Sequence, residues 1–122
     1  MENESILQTT RAALGLPSTT EEFNFEIQMH INAAFAILNQ NGVGRKNLSV
    51  TPDMTWGDFK DPTQVKGNEY STLIPLFVQT RTKIIFDPPP PSNVDFYHQY
   101  IQEILWRLRL AYEKDQEVTI IE

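Results

Sequence analysis

Residues 86–92 read FDPPPPS, and this stretch decides how the chain is divided. Asp87 precedes a proline and is therefore pushed out of the helical region, so a helix arriving from the N-terminal side stops there. The prolines that follow hold the chain in an extended left-handed conformation. Pro91, or the pair Ser92-Asn93, is suited to start a new helix. The run therefore reads as a stiff corner between two helices, which fits its place where two helical patterns meet better than a ligand for a proline-binding domain does.

Helical patterns lie on both sides of the corner. Upstream, residues 68–86, NEYSTLIPLFVQTRTKIIF, place Leu73, Leu76, Phe77, Ile84 and Ile85 at helical spacing, with Tyr70, Ile74 and Val78 on a neighbouring face. Asn68 is a candidate cap. Pro75 either kinks this helix or marks its true first turn; we expect one helix bent near its start. Downstream, residues 93–114 carry a stripe of Tyr97, Ile101, Ile104, Leu105, Leu108 and Ala111. Glu103 with Arg107, and Arg109 with Glu113, are acid–base pairs four apart on the solvated sides. Trp106, Leu110 and Tyr112 lie off the stripe. A second apolar face of this kind points to a partner helix, in the same chain or across a subunit interface.

Two further helices precede these. Residues 4–14, ESILQTTRAAL, repeat apolar residues at three and four residue steps, and Gly15 with Pro17 forms a stop. The next helix is expected from about Thr20 to Asn41, capped by Ser18, Thr19 or Thr20, with Glu21 and Glu22 in its first turn. Ile27, Ile31, Ala34, Phe35 and Leu38 hold its register, and Phe23 and Phe25 thicken its apolar side. Asn41-Gly42 ends it. Residues 43–67 show no sustained period. A connection this long is usually functional or disordered, and Trp56 and Phe59 argue that it docks. The chain closes with EVTIIE, a β-branched tail with no partner strand of its own, suited to local packing or to pairing with another chain.

Composition bounds the rest. The 122 residues carry a net charge of −6 and no cysteine. One domain is expected, with roughly two-thirds of the unfolded surface buried. The acidic balance argues against coating nucleic acid, and the lack of cysteine removes disulfide and thiolate chemistry. The N-terminus MENESILQTT lacks a signal-peptide pattern, and no apolar run is long enough for a membrane span; a soluble intracellular protein is expected. His30 and His98 each stand without a second ligand at metal spacing. No nucleophile–base pair, phosphate loop or calcium loop is visible. The fold class is mainly α: a single domain over 1–122 with a four-helix body over about 4–114, a projecting loop over about 43–67 and an extended tail over 115–122. No enzyme activity and no cofactor are expected.

Five segments in order, Met29-His30-Ile31-Asn32, Leu38 to Gly44, Thr55 to Phe59, Phe86 to Pro89 and Glu103 to Leu108, make the chain resemble the head-tail connector family of tailed bacteriophages, in particular the adaptors of long-tailed siphophages of Gram-positive bacteria. The resemblance covers about Ser5 to Tyr112. The family pattern has two prolines at the corner where this chain has four. The resemblance implies a structural virion protein, assembled in the host cytoplasm and located in the neck. It implies a homo-oligomeric ring, expected to be dodecameric, beneath the portal protein. The ring extends the DNA channel and gives a stopper or tail-completion protein a docking surface, and packaged DNA passes without sequence-specific binding. Under that implication Trp106, Leu110 and Tyr112 are candidates for contact between subunits. Val118, Thr119, Ile120 and Ile121 are candidates for binding the portal. Arg45, Lys46, Trp56 and Phe59 would face the channel or the next ring. The alternative is a small non-enzymatic regulator, binding a host or phage partner through the proline corner or the loop.

Overall fold

The computed structural model describes the backbone of residues 2–121 and the side chains of residues 2–115. It contains α1 (Ile6–Ala13), α2 (Asn24–Gln40), the single turn α3 (Trp56–Phe59), α4 (Leu73–Phe86) and α5 (Val94–Ile121), with 3-10 turns at Gly67–Tyr70 and Pro91–Asn93. Among the described residues no strand forms, and the one backbone bridge joins Ser5 to Thr55. α4 is the central helix and packs against α1, α2 and α5. The core follows the expected periodicities: Ile27, Ile31, Phe35 and Leu38 of α2, Ile74, Phe77 and Val78 of α4, and Ile101, Ile104 and Leu108 of α5 are buried.

α1 starts where Ser5 Oγ accepts the Gln8 amide at 3.1 Å. Its most consequential residue is Arg11, which is completely buried without a carboxylate beside its guanidinium in the hydrogen-bond pattern. Its Nη2 donates to Pro17 O at 2.8 Å and to Thr20 Oγ1 at 3.0 Å. Its Nη1 donates to Asn24 Oδ1 at 2.8 Å and to Glu22 O. A buried charge needs such compensation, and residues 17–24 supply it by wrapping around the guanidinium. This is why α2 begins at Asn24 and not near Thr20. Thr20 serves Arg11 instead of capping a helix, and Phe23 adopts a left-handed backbone with φ 68°. Phe23 meets Phe86 edge-on with ring centroids 5.3 Å apart, while Phe25 points outward.

The segment after α2 does not project. Val43, Val50, Trp56 and Phe59 are buried, and the ring of Phe59 stacks on Phe35 at 4.2 Å. Gly44, at φ +83°, lies so close to that ring that a Cβ would fall 2.2 Å from it. Gln64 clasps the end of α2, donating to Gly42 O at 2.9 Å and accepting from Gly44 N at 3.0 Å. The N-terminal segment closes the other side: Ile6 N donates to Met54 O at 2.9 Å and Trp56 N to Glu4 O at 3.2 Å. Trp56 Nε1 donates to Thr9 Oγ1 at 2.9 Å. Four buried apolar side chains and the hydrogen bonds along the segment together hold it against the helices, so the loop is part of the body.

The expected bent helix over 68–86 is two elements. The 3-10 turn Gly67–Tyr70 precedes α4, and Pro75 sits in the first turn of α4, where its missing N–H costs no intrahelical bond. The proline corner is as expected: Asp87 N still donates to Lys83 O at 2.8 Å, Pro90 is extended, and Pro91 occupies the first position of the next turn. The extended tail expected over 115–122 is replaced, through Ile121, by the continuation of α5. With no strand edge among the described residues to pair with, the backbone there satisfies its own hydrogen bonds. The side chains of Val118, Thr119, Ile120 and Ile121 lie outside the described residues.

Candidate assembly surface

α5 turns its stripe inward and leaves a ridge outside. Trp106 and Leu110, one turn apart, are 51% and 40% exposed. Across from them stand Tyr70, at the end of the 3-10 turn, and Leu73, at the start of α4. These residues, with Arg107, Ala111, Glu113 and Lys114, line an open groove of about 700 Å³. Arg107 is held along α5 by Glu103, with Nη2 to Oε1 at 3.0 Å. The pair is exposed and contributes little to stability, but it fixes a charged rim beside the apolar floor.

Tyr112 does not belong to this surface. It is completely buried, with its ring against Gly67, where a Cβ would lie 2.3 Å from Cδ2, and its hydroxyl donating to Asn68 Oδ1 at 2.9 Å. Burial, and secondarily the charge of Asp115, pushes its pKa up to about 12. The Asp115 carboxylate accepts the amides of Lys66 and Gly67 at 2.9 and 2.8 Å. Tyr112 and Asp115 thus tie the 3-10 turn to α5 and hold Tyr70 opposite Trp106. Their role is to shape the groove from behind.

Of the four loop residues expected to face a channel or a neighbouring ring, Trp56 and Phe59 are core and only Arg45 and Lys46 are exposed. That basic spot is shared with Asp61, whose pKa is lowered first by hydrogen bonds from Thr63 and then by the nearby charges of Arg45 and Lys46. The structure therefore does not bring the sequence-expected residues into one site. It assigns them to a core, a groove and a separate solvated spot.

Two exposed apolar features differ from the sequence reading: Phe25, expected to thicken the apolar side of α2, faces outward, and the Phe96–Tyr100 pair was not singled out. Phe25 and Met29 are 79% and 57% exposed on the outer side of α2; their four-residue spacing was the available signal. Phe96 and Tyr100 stack in parallel with centroids 6.3 Å apart, and Tyr100 lines a groove of about 460 Å³ with Tyr97 and Pro88 to Pro90. Among the described residues no three His, Cys, Asp or Glu side chains are grouped to hold a metal ion. No helix among the described residues is long and apolar enough to cross a membrane.

The all-helical body, the corner and the exposed α5 ridge span residues that a model of the phage connector protein family matches, 6–115. The chain belongs to the phage connector protein family. It is a structural connector of the bacteriophage head-tail junction, which places it in the virion neck in contact with other head and tail proteins. No curated protein and no solved structure matches the chain. The matched range ends at Asp115, the residue whose carboxylate ties α5 to the 3-10 turn.

Proposed function

We propose that this connector is the adaptor subunit of a ring beneath the portal, in a long-tailed siphophage of a Gram-positive host. Twelve-fold closure would match the portal. The ring would extend the DNA channel and offer a stopper or tail-completion protein its docking surface. The observation that carries this reading is the exposed Trp106–Leu110 ridge over an open groove in a chain of the connector family. A large exposed aromatic beside an apolar groove is the composition of a protein interface, and a closed ring needs a contact of this kind on every subunit.

In this reading the C-terminal residues Val118 to Ile121 reach the portal, and Arg45 and Lys46 lie toward the channel or the adjoining ring. The net charge of −6 supports a channel along which DNA slides, because phosphates would meet few fixed cations. Native mass spectrometry of the chain alone, then with portal particles, tests the reading. Rings in either setting support it; a chain that remains monomeric and ignores the portal overturns it. The second reading, a regulator that binds a host or phage protein, is favoured by the Tyr97–Tyr100–proline groove. It would gain ground if the monomer bound such a partner through that corner.

A further inference from the structure

Among the described residues, two of the exposed apolar surfaces have opposite shapes. The first is a ridge on α2. Phe25, Met29, Ala33 and Ala36 follow one another at helical spacing and all are exposed, while Ile27, Ile31, Ala34 and Leu38 on the inner side are buried. The ridge is tall at its N-terminal end, where Phe25 and Met29 stand, and low at the two alanines. The second is the groove of Tyr70, Leu73, Trp106 and Leu110, about 700 Å³.

Their charges are complementary. Glu21, Glu22 and Glu26 are exposed beside the tall end of the ridge, and no Lys or Arg occurs between Ala12 and Gly44. The lining of the groove carries Arg107 and Lys114 against Glu113, with Arg107 paired along α5 to Glu103, and Arg109 stands on the neighbouring side of the same helix. Arg107, Arg109 and Lys114 are all exposed. Two ridges facing each other would bring six carboxylates of the two copies together, and two grooves facing each other would leave both unfilled. Ridge into groove pairs opposite charge and fills the cavity.

We propose that the α2 ridge of one copy seats in the α5 groove of the next, with Phe25 and Met29 entering between Trp106 and Tyr70. This rests on the ring reading above and adds its two mating surfaces. The contact is heterologous: each copy uses both halves, and the interface repeats around a ring. Complementary charge at the rim would steer the encounter and make assembly weaken as salt rises.

The test uses the full chain, which has no cysteine of its own. Native mass spectrometry of the unsubstituted chain, alone and with portal particles, is read first. Then Met29→Cys and Leu110→Cys are prepared as separate chains and as one doubly substituted chain, and treated with a short bismaleimide. Mixed single variants should give cross-linked dimer only, the double variant a ladder, and each single variant alone no cross-linked product. Phe25→Asp and Leu110→Asp, both at exposed positions, should keep the parent melting temperature and lower assembly by at least about tenfold. If rings form but the mixed variants do not cross-link, or Leu110→Cys joins to itself or to the portal, the pairing is overturned and the ring reading stands. Assembly of Phe25→Asp at the parent level also overturns the pairing. If the unsubstituted chain forms no ring, alone or with the portal, the ring reading fails and the pairing with it.

Discussion

Gly67 lies flat against the ring of Tyr112, so close that a Cβ at position 67 would sit 2.3 Å from Cδ2. Gly67→Ala should therefore act as overpacking, lowering stability by about 1–3 kcal/mol. Because the 3-10 turn carries Tyr70, the same change should disturb the groove. Chemical denaturation should show the loss, and Trp106 fluorescence in the folded state should shift with it. An alanine variant as stable as its parent would mean that the turn is not packed on α5.

The Tyr112 hydroxyl gives a pH signature. Its pKa is pushed from the model-compound value of 10.0 to about 12 by burial and then by Asp115. The group is favoured in its protonated form in the folded state. Its contribution is thus fully present below pH 10 and is lost as pH rises toward 12, since the unfolded chain releases that proton first. Tyr112→Phe should flatten this part of the stability–pH curve relative to the parent, and cost about 1 kcal/mol at neutral pH for the lost bond to Asn68. Urea titrations at pH 7, 10 and 11 on both chains would measure both effects; parallel curves would contradict the assignment.

Arg11 should be the most sensitive charged position. Pro17 O, Glu22 O, Thr20 Oγ1 and Asn24 Oδ1 all accept from its guanidinium. Arg11→Met leaves these acceptors without their buried donor, at an expected cost of about 3 kcal/mol or more. Arg11→Lys should recover only part, because an ammonium does not reproduce the planar fork. Limited proteolysis should cut between α1 and α2 in both variants before it cuts elsewhere. If Arg11→Met melts like the parent, the buried guanidinium is not what orders residues 17–24.

Most of the helical layout is legible in the sequence because it is set by local rules. The apolar repeat of α2, the stripe of α5 and the stop at Asp87 need no tertiary information. What is not legible depends on distant partners. The start of α2 is decided by Arg11, which reads as one more polar residue on a short helix until residues 17–24 are seen around it. Tyr112 reads as part of an outer face, yet it lies one turn beyond Leu108, and the missing side chain at Gly67 opens room for it in the core. Trp106 and Leu110 are correctly read as lying off the stripe, but their groove is formed by Tyr70 and Leu73, which follow from where the 3-10 turn packs. The docking of residues 43–66 is half legible: Trp56 and Phe59 announce it, while the stacking partner Phe35 and the space above Gly44 do not.

Phe59→Ala tests that docking directly. Phe59 is completely buried and stacks on Phe35, so truncation should cost about 3–5 kcal/mol. A projecting loop would have lost almost nothing, as is usual for exposed substitutions. Hydrogen exchange should speed up at the amides of Arg45, Val50 and Trp56, which donate to Phe59 O, Asn32 Oδ1 and Glu4 O. Unchanged exchange there would show that the segment is held without its aromatic anchor.

The four-proline corner should matter through the unfolded chain more than through contacts. Pro88 and Pro90 are exposed and Pro89 is half-buried, so replacing Pro88 and Pro90 by alanine removes little packing. It restores backbone freedom to the unfolded state at about 0.4–1 kcal/mol per site. The loss should be additive and insensitive to salt. Pro91→Ala differs, because Pro91 opens the 3-10 turn that leads into α5; it should loosen the first turn of α5, visible as faster exchange at Val94 to Tyr97, with the Trp106 groove unaffected. Alanine replacements that instead left stability unchanged but abolished binding of a partner protein would mark the corner as a recognition site and favour the regulator reading over the connector ring.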